Sequence, residues 1–281
     1  MKKLAILAAL ALAVSSTASA SPWIKSFAQA QQKAKAKNQL IFVDLFADWC
    51  GWCHKFEQDV IPSEAFQKST DNMVLLRLNT EDQGEGTNLA RRYSVNSLPT
   101  FLVLDGDAII VGIIRGYQVP SDFANSLKDV EGRYVAFKKR VAAENTITGD
   151  YQKRLDLAKE FRIRYALPQA EERLKKLTAE KSAPADVRDE SYYELALTQM
   201  LEQKYDDSMA TIQKFATVQK KGDPYEKSRL LIGDLYLQQG KVDRAVAEYR
   251  SFKQNFPQSQ YVKNIDFLLP QLERQVTATK K

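Results

Sequence analysis

Cysteine and histidine are nearly missing from this 281-residue chain, which has two of the first and one of the second. A multi-disulfide scaffold is thereby excluded, and a four-ligand Cys/His zinc site as well, since Cys50, Cys53 and His54 supply three ligands at most. Long apolar runs are scarce too. Leu4 to Val14 is too short to span a bilayer, which takes about 20 residues, and no later segment approaches that length. A dense basic block is also lacking. Beyond residue 20 the chain has 39 basic and 35 acidic groups, and the small excess falls in residues 151–281, spread among helices. With no recognition motif either, nucleic acid is not an expected partner.

The short apolar run has its own meaning. Lys2-Lys3, the stretch Leu4 to Val14 and the small residues Ala18-Ser19-Ala20 form a secretory signal, so residues 1–20 are expected to be cleaved. A soluble, exported, periplasmic chain is expected from residue 21. The two cysteines then stand out, because Cys50-Gly51-Trp52-Cys53 would close a loop of only two intervening residues. Such a bridge constrains the unfolded chain very little, so its role is chemical rather than structural.

The pair follows the apolar run Leu40 to Phe46, a buried strand, and opens a helix expected over Gly51 to about Val60. At a helix N-terminus the backbone N–H groups and the dipole favour a thiolate, lowering a thiol pKa from ~8.5 to between ~3.5 and ~7.5. Cys50 is the expected nucleophile, facing solvent, and Cys53 the deeper resolving thiol. Around them the pattern predicts a helix over Trp23 to Lys37, a strand over Met73 to Leu78 and a helix near Thr87 to Tyr93. A hairpin follows, Thr100 to Leu104 and Ala108 to Ile114 about Asp105-Gly106-Asp107, then a helix capped by Ser121. This describes an α/β domain over residues 21–145, a small mixed sheet with helices on both faces.

After Asn145 to Asp150 the strand signals stop, and residues 150–281 read as all-α. Ile232, Gly233, Tyr236, Gly240, Val242, Ala245, Tyr249 and Phe252, with Pro257 beyond, follow a two-helix repeat. Weaker copies lie 37 and 75 residues earlier, with Gln199 in place of an aromatic and Ser208 in place of an alanine. The region resembles tetratricopeptide repeats. Three helix pairs and a terminal helix from about Gln258 are expected, with Pro270 kinking or ending that helix.

The segment Val43 to Lys55, with Leu98-Pro99-Thr100 and Arg115-Gly116-Tyr117, resembles the thioredoxin-like family, over roughly Ser21 to Ala143. The run Ala47-Asp48-Trp49-Cys50 followed by Phe56-Glu57 is most similar to the periplasmic C-terminal domain of the disulfide reductase DsbD and its exported relatives. The resemblance implies a thiol–disulfide oxidoreductase that needs no cofactor or metal. It implies Asp44 as the buried acid accepting the proton of Cys53. It places Trp49, Trp52, Leu98, Pro99 and Gly116 around the bound partner chain, with a cis bond before Pro99. Trp52 departs from the family's commonest dipeptide, which has proline there. The expected partners are protein disulfides or dithiols, an electron donor or acceptor protein, and a protein recruited by the repeats, with the chain acting as reductant.

Two other classes fit parts of the sequence. Cys50-Gly51-Trp52-Cys53-His54 also spells the c-type haem attachment pattern. A repeat-based binding or assembly protein with an auxiliary dithiol is the second.

Overall fold

The computed structural model describes residues 23–279; the signal-sequence reading lies outside them. Strands β1 (Trp23–Ile24), β2 (Leu40–Phe46), β3 (Met73–Asn79), β4 (Thr100–Leu104) and β5 (Ile110–Arg115) make one sheet. Its order is β1-β3-β2-β4-β5, with β1, β3 and β2 parallel and β4 and β5 antiparallel to their neighbours. Burial follows from this order. β2 lies at the centre with helices over both faces, and Ile41 to Leu45 are buried without interruption.

Helices α1 (Phe27–Lys37), α2 (Gly51–Asp59), α3 (Glu64–Thr70), α4 (Glu85–Arg92) and α5 (Pro120–Ala142) cover the sheet. One face packs Ala30, Ala34, Leu89 and Tyr93 onto Val43, Leu45, Leu76 and Leu102. The other is aromatic, with Phe42, Phe56, Phe66, Phe101 and Phe123 in mutual contact beneath α2.

Several expectations need correction. Trp23 and Ile24 are not the start of the first helix; they pair with Leu75 and Leu76 as an edge strand. Helix α3 was not expected, although Ser63 caps it by accepting the Phe66 N–H at 3.2 Å. Ser121 does not cap α5: Val119 holds that position, Pro120 opens the helix, and the Ser121 hydroxyl turns to Asp122.

The second half is helical throughout its described length. Helices α6 (Tyr151–Ile163) and α7 (Leu167–Ala179), α8 (Ala185–Leu201) and α9 (Tyr205–Val218), and α10 (Asp223–Gln238) and α11 (Val242–Asn255) form three pairs, and α12 (Val262–Thr279) follows. Gly233 is required here, because a Cβ would lie 2.3 Å from the Tyr249 ring. The two departures from the repeat pattern are polar and satisfied. Gln199 donates to Glu171 and accepts from Thr211, and Ser208 donates to the Ala196 carbonyl at 2.7 Å. Pro270 lies inside α12, which continues to Thr279; the missing N–H removes one backbone bond without ending the helix.

The two halves share α5. Phe123, Leu127 and Val130 belong to the sheet core, while Phe137 packs with Leu155, Phe161 and Leu174 of the repeats.

Candidate active site

Cys50 is the N-cap of α2, and its sulfur accepts the Cys53 N–H at 3.2 Å. An anion at that sulfur would meet the first-turn N–H and the positive end of the helix dipole. The two cysteines form a disulfide, with Sγ atoms 2.06 Å apart. The expected difference in exposure is absent in this oxidised form. Cys50 is 3% exposed and Cys53 2%, because Ala47, Phe46 and Leu98 enclose the pair.

The rim around this buried bridge is aromatic. Trp49 is 69% exposed, which rules out an ordinary core tryptophan, and its Nε1 donates to Glu81 Oε1 at 2.7 Å. Trp52 is 59% exposed and leans on Tyr117, with ring centroids 5.4 Å apart. Tyr117 is held from behind by its hydroxyl bond to Asp59 and by Lys55 near its ring.

The loop before β4 completes the rim. The Leu98–Pro99 bond is cis, and the Gly116 N–H donates to the Pro99 carbonyl at 2.9 Å. Gly116 has φ +78°, a conformation glycine adopts without strain, and open space lies where a side chain would project. His54 Nε2 lies 2.8 Å from the Asp48 carbonyl, which can accept a hydrogen bond from it.

Asp44 lies in β2, six residues before Cys50, and is only 2% exposed. Burial pushes its carboxyl pKa up to about 7, against the opposing pull of Arg77. Oδ1 has no hydrogen-bond partner, and Oδ2 lies 3.2 Å from Arg77 Nε. That contact is an ion pair by distance but lacks hydrogen-bond geometry, since Arg77 Nε is itself unpartnered. The guanidinium is committed to Glu57, which takes both terminal nitrogens at 2.6 and 2.8 Å, and it stacks over Phe46. This hydrogen bonding holds Glu57 below the usual carboxylate range. Asp44 is therefore a buried carboxyl that the neighbouring guanidinium only partly compensates.

Sequence reasoning missed Arg77. Asp44 and Arg77 are register partners on adjacent strands, and a lone arginine inside Met73-Val74-Leu75-Leu76-Arg77-Leu78 was the available signal.

Residues 27–131 match the model of the thioredoxin-like domain, and residues 227–259 that of a tetratricopeptide repeat. Among curated relatives, the thiol:disulfide interchange protein DsbD of Actinobacillus pleuropneumoniae is 29% identical over 111 residues, covering 38% of this chain and 19% of that protein. DsbD of Cronobacter sakazakii is 33% identical over 97 residues, covering 34% of this chain and 17% of its own length. The chain thus spans less than a fifth of these relatives. Among solved structures, a thioredoxin from Thermus thermophilus is 26% identical, with a TM-score of 0.35, covering 38% of this chain and 85% of that one. Residues 27–131 are a thioredoxin-like domain, and residues 227–259 a tetratricopeptide repeat in the same chain.

Proposed function

We propose that this protein is an exported, periplasmic thiol–disulfide oxidoreductase that reduces disulfides in partner proteins, with residues 21–145 as its catalytic unit and residues 150–281 recruiting the partner. The Cys50 thiolate attacks one sulfur of the partner disulfide, forming a mixed disulfide and releasing the partner's first thiolate. Cys53 then gives up its proton to the Asp44 carboxylate and attacks Cys50 Sγ. The partner leaves with two thiols, having gained two electrons, and Cys50–Cys53 becomes the disulfide. An external dithiol protein must return those electrons.

Trp49, Trp52, Leu98, Pro99 and Gly116 border the dithiol. The backbone beside the cis bond suits an extended partner strand, and the exposed rings suit its side chains. The observation that carries this reading is the Cys50–Cys53 pair at the N-terminus of α2, with Asp44 buried on the strand that leads into it.

Reduction of a model protein disulfide by the pre-reduced chain tests it. Turnover should depend on Cys50, and a folded, unblocked dithiol inert toward every thiol donor tried would refute it. The direction of flow is tested by equilibrium with glutathione. A potential near about −270 mV marks a reductant, and one near about −120 mV an oxidant.

A further inference from the structure

The sheet domain and the repeats border a cleft of about 770 Å³, within the range of roughly 300–1,000 Å³ typical of ligand sites. Asn88, Arg91, Arg92 and Ser94 from the end of α4 line one wall. The turns between paired helices line the other, with Tyr165, Gln203 and Lys204 among them. Its walls are held in fixed relation. The Ile110 N–H on the outer edge of β5 donates to the Arg164 carbonyl at 2.8 Å. The Arg164 guanidinium donates back to the Ile110 and Val111 carbonyls at 2.9 and 3.0 Å and lies over the Phe137 ring. Tyr165 packs edge-on against Tyr93 and reaches the Ser94 hydroxyl. An occupant would therefore meet a site that is already assembled.

We infer that this cleft binds an extended acidic segment of a partner protein. Arg91 and Arg92, which line the cleft, are exposed and have no ion pair among the described residues, whereas Arg164 beside the cleft holds Glu160. Among the described residues Glu202 is the only carboxylate lining the cleft, and it is occupied by Lys204, which also holds Glu171. Two positive charges on one wall thus remain uncompensated. The dipole of α4 favours cations in its last turn, and Arg92 lies 5.5 Å from the Tyr93 ring centroid, but neither guanidinium meets a carboxylate among the described residues. Consecutive helical residues diverge, so the two side chains suit two separate carboxylates better than one phosphate. The amides of Asn88, Gln203 and Gln238 line the cleft with no side-chain hydrogen bond among the described residues, and they match the backbone groups of an extended chain. Ser94 and Pro99 are five positions apart, a reach of at most ~18 Å, so one partner could occupy both this cleft and the dithiol. Binding in the cleft does not depend on the redox reading.

The test is fluorescence anisotropy of a dye-labelled hexaglutamate peptide titrated with the full chain. Binding should weaken as salt rises, and Arg91→Gln with Arg92→Gln should lower affinity about tenfold or more. The pair Arg244→Gln with Arg274→Gln, exposed on the repeats and equal in net charge, should leave affinity within about twofold. Equal loss in both double variants would reveal diffuse charge attraction and overturn the proposal. So would no binding by the wild-type chain, or capture of anionic vesicles or inorganic phosphate in preference to the peptide. Circular dichroism of both variants establishes that they are folded.

Discussion

Asp44 in the sheet and Glu171 in the repeats are both buried carboxyls, 2% and 6% exposed, yet their surroundings drive them in opposite directions. Glu171 accepts from Lys204, Lys175 and Gln199, and these contacts pull its pKa down to about 2 despite burial. Asp44 has one oxygen without a partner and shares the Arg77 guanidinium with Glu57, so burial prevails and its pKa rises to about 7. Burial alone does not make a reactive acid. What separates the two is whether the charged form is supplied with donors.

The most severe way to challenge the contrast is to remove the chemistry from one half only. Cys50→Ser should reduce disulfide exchange on the order of 10³-fold or more, as expected for loss of the attacking group. Glu171→Gln should leave the rate with a small model disulfide within about twofold. If Glu171→Gln matches Cys50→Ser, the repeats belong to the catalytic machinery and the division fails.

Stability provides the next test, with opposite signs. Asp44 holds a proton in the folded chain from its ordinary 3.8 up to about 7, so folding loses stability as pH rises through that window. At 1.36 kcal/mol per pH unit the ceiling is about 4 kcal/mol, and Asp44→Asn should recover much of it at pH 8. Glu171, depressed from 4.5 to about 2, stabilises the fold above pH 4.5 by at most about 3 kcal/mol and loses this as pH falls toward 2. Glu171→Gln should therefore destabilise at pH 8. The three tryptophans, Trp23, Trp49 and Trp52, all lie in the first half, so their fluorescence reports urea unfolding around Asp44. Far-UV circular dichroism adds the helical repeats. Shifts of the same sign for both variants would erase the comparison.

Which of these features could be read from residues alone depended on how locally each is encoded. The dithiol and the strand before it are contiguous patterns, Asp44 and the Leu98–Pro99 segment stand out only through the family resemblance, and the third repeat carries its close-packing signature in Gly233 and Ala245. Trp23–Ile24 failed because two residues are too few to show a strand period, and the helical pattern of α1 begins immediately after them. Burial of Cys50 was hidden because Leu98, which helps enclose it, comes from a loop 48 positions away. The Asp44–Arg77 pairing was hidden for the same reason. It exists only once β3 is laid beside β2 in a definite register, and no local spacing encodes that.

Arg77 also permits the finest adjustment of the contrast. Among the described residues its guanidinium is the one cation lowering the Asp44 pKa, and it lies 3.2 Å away without donating a hydrogen bond to it. Arg77→Met keeps the hydrocarbon stem against Phe46 while removing the charge. With that pull gone, Asp44 should titrate above its present value of about 7, and the pH at which mixed-disulfide resolution reaches half its maximum should rise by up to about one unit, equivalent to about 1.4 kcal/mol. Stopped-flow resolution of a Cys50-linked mixed disulfide across pH 5 to 9 measures this directly. Asp44→Asn should flatten the same limb, and combining it with Arg77→Met should add nothing further. If the limb stays in place in Arg77→Met but vanishes in Asp44→Asn, the carboxyl acts without the arginine, and its pKa is set by burial alone.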